Sequence, residues 1–112
     1  MKSNVKVTFW LSKSKKNSQN LVPVYLRVSY DYANFTKATG NWVRLHDWDK
    51  TQMKVRGNSL EVDTINTQLE GLKIKVIQIA NQLSLLGKPF NVHTIRKRLE
   101  GNESSQISLM RV

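Results

Sequence analysis

From Val62 to Leu86 the apolar residues Val62, Ile65, Leu69, Leu72, Val76, Ile79, Leu83 and Leu86 recur at steps of 3,4,3,4,3,4,3. Only a helix of about 3.6 residues per turn puts such a series on one stripe, and a helix this long must bury its stripe against another layer. Asn58 or Ser59 suits the N-cap, Glu61 and Asp63 suit the positive end of the first turn, and Gly87-Lys88-Pro89 stops the run. The spacing predicts a long helix over 60–87, with Ile74 and Ile77 widening its stripe.

Upstream the period is two. Val5, Val7, Phe9 and Leu11 alternate with Lys6, Thr8 and Trp10, and after Pro23 the residues Val24, Leu26, Val28 and Tyr30 alternate with Tyr25, Arg27 and Ser29. Both runs read as half-buried strands. Asp31 to Asn34 is suited to a turn, and Phe35 to Thr39 returns from it. The facing of that third strand is open, because Phe35, Lys37 and Thr39 alternate against Thr36 and Ala38. Gly40 ends or kinks the strand, and Trp42-Val43 can continue the sheet. Met53 to Arg56 leaves room for a small fourth strand.

A second helix is predicted over 92–100, with Asn91 as N-cap, Phe90 and Ile95 as a hydrophobic staple, and Gly101 as its end. The fold class expected is α+β: a three-stranded antiparallel sheet over 5–43, packed on the long helix and followed by the short one. Residues 1–101 then form one domain, and 102–112 read as a linker or truncated continuation. A three-stranded sheet is barely stable alone, so the long helix is assigned to the core and not to a partner.

Charge narrows the function. Lys and Arg number 18 against 8 Asp and Glu, for a net charge of +10. Residues 1–56 hold eleven basic and three acidic side chains, so +8 of that excess lies in the half that forms the sheet. Such an imbalance is the footprint of a polyanion partner, nucleic acid before an anionic membrane. The solvent face of the first two strands, Lys6, Thr8, Trp10, Tyr25, Arg27 and Ser29, has no acid, and Lys13, Lys15 and Lys16 adjoin it in the Ser12–Asn20 loop. A β-ribbon fits the major groove, where Arg and Lys reach base edges while other side chains hold phosphate. Lys6, Thr8, Tyr25 and Arg27 are expected to make groove contacts, and Lys13, Lys15 and Lys16 phosphate contacts. Trp10, Ser29 and Lys37 complete the candidate DNA-binding set.

Other chemistries are poorly supplied. Without cysteine there are no disulfides, thiol nucleophiles or cysteine zinc sites. Asp47 and Asp49 are a conceivable Mg²⁺ pair, but turn capping is the commoner use of such residues, and no metal or cofactor is expected. His93 and Arg96 spell H-x-x-R, yet no tyrosine follows Tyr32, so a covalent recombinase site lacks its nucleophile and no catalytic residue is assigned. The longest charge-free apolar stretch, Val76 to Leu86, is too short to span a bilayer. No apolar leader follows Met1, so a cytoplasmic protein without membrane partners is expected. An RNA-binding module using the same face, or a protein-interaction domain, are the alternatives.

The order of segments is itself informative: Val5-Lys6-Val7-Thr8-Phe9-Trp10-Leu11, Val24-Tyr25-Leu26-Arg27-Val28, Ala38-Thr39-Gly40, His46-Asp47-Trp48-Asp49, a long helix, Gly87-Lys88-Pro89, then Ile95 to Leu99-Glu100-Gly101. Over about residues 4 to 101 this resembles the N-terminal arm-type DNA-binding domain of tyrosine recombinases, the phage-type integrases, of Bacteroidetes mobile elements. The resemblance implies a sheet laid in the major groove of arm-type sites, with double-stranded DNA and further recombinase protomers as partners. It also implies that core-binding and catalytic domains follow residue 112 in a longer protein; the family's catalytic residues belong to that part. Lys37 stands where relatives more often place an apolar residue.

Overall fold

The structure is a computed structural model that describes residues 5–111, with side chains to residue 101. Strands β1 (Lys6–Leu11), β2 (Leu21–Tyr30) and β3 (Ala33–Arg44) form an antiparallel sheet in the order β1-β2-β3. The short strands β4 (Trp48–Asp49) and β5 (Lys54–Val55) pair in a second sheet. Helices α1 (Leu60–Leu85) and α2 (Val92–Arg111) complete an α+β fold. The small extra strand anticipated near Met53 therefore exists, but it pairs with Trp48-Asp49 and not with the main sheet.

Register follows from the turn. Asp31 and Tyr32 both have positive φ, +55° and +66°, the combination a two-residue type I′ hairpin needs. This pairs Tyr30 with Ala33 and, further along, Val28 with Phe35 and Leu26 with Lys37. On the other side β1 pairs Val7 with Val28 and Phe9 with Leu26. Directly opposed residues share a face, so Val7, Phe9, Leu26, Val28 and Phe35 are buried together.

Pro23 lies inside β2, not ahead of it as the sequence suggests. It is tolerated in this central strand because the ladder is interrupted there: Pro23 pairs with Trp42 and Tyr25 with Ala38, leaving Thr39, Gly40 and Asn41 opposite Val24 alone. Gly40 supplies the positive φ of +85° in this bulge, and Thr39 Oγ1 donates to the Val24 carbonyl at 2.8 Å. Beyond the bulge Val43 returns to the core opposite Val22.

The helices back the apolar face. Leu69, Val76, Ile79, Ala80 and Leu83 of α1 and Val92, Ile95 and Leu99 of α2 join the sheet residues in one buried cluster. Ser59 caps α1, its Oγ accepting from Val62 N at 3.2 Å. Two positions of the anticipated stripe fail: Leu86, beyond the last turn, and Ile74 are both exposed. Asn91 caps α2 by accepting from Thr94 N at 3.1 Å, and Phe90 stacks on Tyr30 with ring centroids 4.7 Å apart. Gly101 does not end α2, which continues to Arg111. Gly101 keeps a negative φ, and a helical glycine costs only about 1 kcal/mol relative to alanine, too little to break an established ladder. The predicted linker at 102–112 thus has a helical backbone as far as Arg111.

Asn66 on α1 ties the second sheet to the first helix. Its Oδ1 accepts from Val55 N at 2.8 Å and its Nδ2 donates to Val55 O at 3.0 Å. Asn66→Ala strands both groups of a buried residue, and we expect a loss of about 1–3 kcal/mol. Hydrogen exchange at the Val55 amide should accelerate; an unchanged rate would show that the two hydrogen bonds do not hold this hairpin.

Candidate nucleic-acid interface

The face of the sheet turned away from the helices is built by the same register. Three rows cross it: Lys6, Ser29 and Asn34; Thr8, Arg27 and Thr36; Trp10, Tyr25 and Ala38. Lys6, Arg27, Asn34, Thr36 and Ala38 are exposed, and none of the nine carries negative charge. Six of the anticipated residues, Lys6, Thr8, Trp10, Tyr25, Arg27 and Ser29, are thus brought together.

Lys37 is not among them. It pairs with Leu26, whose side chain is in the core, so Lys37 points to the helical side of β3 and is half-buried at that edge. The strand's own pattern left this open, and the hairpin register decides it. The same register brings in Asn34 and Thr36, which sequence reasoning missed. Their signal was the turn: a two-residue loop at Asp31-Tyr32 places Thr36 opposite Arg27.

Two cations at this face, Arg27 and the adjoining Lys15, are held against aromatic side chains. Trp10 and Tyr25, directly paired across β1 and β2, stack with centroids 5.2 Å apart and planes inclined by 27°. The Arg27 guanidinium lies 5.7 Å from the Trp10 ring centroid, and Lys15 Nζ lies 4.9 Å from that of Tyr25. Lys15 also donates to the Tyr25 hydroxyl at 2.6 Å. Contacts of this kind restrain a cation while leaving its charge unneutralised, at about 0.5–1 kcal/mol each where exposed. Trp10 Nε1 is buried without an acceptor among the described residues.

The Ser12–Asn20 loop is more ordered than its composition suggests. Lys13–Lys15 make a 3₁₀ turn, Ser12 N donates to Pro23 O at 3.1 Å, and Asn17 Oδ1 accepts from Gln19 N and Leu21 N. These bonds fix the stem from which Lys13, Lys15 and Lys16 emerge into solvent. Lys13 lines a cleft with Trp10, Leu11, Leu45, Trp48 and Lys50, so Lys50 of the second hairpin extends the basic surface past the β1 edge. Nothing in the local sequence around Lys50 signals that neighbour.

The residues weighed for catalysis are placed elsewhere. Asp49 Oδ1 accepts from Thr51 N and Gln52 N, both at 3.0 Å, and so caps the turn between β4 and β5. Asp47 lies 3.4 Å from His46. His93 is exposed in the first turn of α2, and Arg96 pairs with Glu100 at 3.2 Å over the Phe35 ring. Among the described residues no group of three or more His, Cys, Asp or Glu could hold a metal ion, and no helix is long and apolar enough to cross a membrane.

No curated protein and no solved structure matches this sequence closely enough to count as similar. A family model does match, over residues 9–96, and it describes an arm DNA-binding domain, a non-catalytic module typical of phage integrase N-termini. That span runs from β1 into α2 and includes the whole Arg27–Trp10–Tyr25–Lys15 stack, so the chain belongs to the arm DNA-binding domain family and has DNA as its partner.

Proposed function

We propose that this chain binds double-stranded DNA through the basic, aromatic face of its β1-β2-β3 sheet, as the arm-site-binding module of a tyrosine recombinase carried by a mobile element. Strand exchange is done by other parts of such a recombinase, in the cytoplasm where its DNA lies, and neighbouring protomers are further partners. The observation that carries this reading is the acid-free face in which Arg27 and Lys15 are restrained by rings and not by carboxylates. Cations held in that way are preorganised for phosphate and base edges, with no internal ion pair to break.

The stack also disfavours a single-strand platform. Such platforms offer free ring faces for bases, whereas Trp10 and Tyr25 cover each other, Arg27 lies over Trp10, and Lys15 occupies the hydroxyl edge of Tyr25. Lys6, Thr8, Tyr25, Arg27 and Ser29 are assigned to the groove, and Lys13, Lys15 and Lys16 to phosphate. Lys37, on the opposite side, is not assigned a contact.

A salt titration of binding to duplex DNA, single-stranded DNA and duplex RNA of equal length tests the reading. Duplex DNA should bind most tightly, with affinity falling steeply as salt rises. Lys15→Ala should weaken every duplex alike and reduce the salt slope by about one. Stronger binding to the single strand, or no binding to any of the three at low salt, would overturn the proposal.

A further inference from the structure

The tip of the β2-β3 hairpin is built against local preference. A type I′ turn favours Asn and Gly, because a side chain on Cβ is crowded when φ is positive. Asp31 tolerates that geometry, but Tyr32 is a bulky residue held at φ +66°. Its ring also gains nothing from the fold in return, since Tyr32 is fully exposed. A strained, solvent-facing aromatic with no structural reward calls for a use outside the domain.

Its position suggests one. Lys6 to Trp10 spans about 14 Å along the strand, already the width of a major groove of about 12 Å. The tip overhangs the Lys6–Ser29 row by about 7 Å. With the strands set across the groove, a face that fills it brings such an overhang against the sugar–phosphate wall.

We propose that the hairpin tip abuts the DNA backbone at one end of the footprint, with Tyr32 packing its ring on deoxyribose and donating its hydroxyl to a phosphate oxygen. The inference rests on the sheet-face reading above. It assigns Asp31 the opposite effect, because its exposed carboxylate then stands next to phosphate and weakens binding.

Two variants test this on the full chain, with duplex DNA as the probe. Tyr32→Gly should weaken duplex binding about three- to tenfold. Its Tm should be no lower than that of the parent, since glycine relieves the turn. Asp31→Asn should bind more tightly, with the gain shrinking as salt rises. Loss of affinity without loss of Tm cannot come from misfolding, and opposite signs at adjacent residues cannot come from a tip directed away from DNA. Unchanged affinity in both variants, while Arg27→Ala still loses binding, overturns the tip contact and leaves the sheet face standing. A parent protein that binds no duplex overturns both.

Discussion

Ile95→Ala is expected to lower the stability of the fold by about 2–5 kcal/mol, the range for removing a buried aliphatic side chain and leaving a partly collapsed cavity. Ile95 is fully buried, between Val92 and Leu99 on the face of α2 that joins the common core. A domain of this size has a total stability of about 5–15 kcal/mol, so the loss is a large fraction of the whole. Urea unfolding should show a reduced midpoint with an unchanged slope. Leu85→Ala, at a position 87% exposed on α1, serves as the control and should change stability by about 0.5 kcal/mol or less. Equal, small effects at the two positions would mean that α2 is an appendage and not a layer of the core.

Arg27→Ala should cost about 1–3 kcal/mol at the preferred DNA site, or roughly 5- to 150-fold in affinity, if the guanidinium makes a bidentate base contact. The preferred site is first obtained by selection from random duplexes, and the variant is then compared on selected and unrelated sequences. The loss should be concentrated on the selected sequence. Arg27→Lys should not restore it, because an ammonium cannot fork to two acceptors as the planar guanidinium does. An equal loss on every duplex would make Arg27 a phosphate contact and move base recognition to Lys6, Thr8 or Thr36.

Much of this architecture is legible along the chain because its signals are local. The alternation in β1 and β2, the 3,4 spacing of α1, and the caps at Ser59 and Asn91 each reflect backbone geometry within a few residues. The six candidates on β1 and β2 came from that alternation and share one face in the structure. Lys37 shows where it stops. Phe35, Lys37 and Thr39 read equally well in either direction, and the strand carries a bulge that no periodicity predicts. Pro23 looks like a boundary until Thr39, Gly40 and Asn41 are found opposite Val24. Met53 to Arg56 reads as a small strand with no evident partner until Trp48-Asp49 is found beside it and Asn66, on a helix that begins later, ties the hairpin down.

By itself the sequence determined the types of the three long strands and two helices, the apolar face of the first two strands and the basic excess, since the patterns that signal them are local. The tertiary structure alone decided the side taken by Lys37, the place of the second sheet and the Arg27–Trp10–Tyr25–Lys15 stack. Those depend on register and packing between residues far apart in the chain, where a shift of one position turns a side chain to the opposite face.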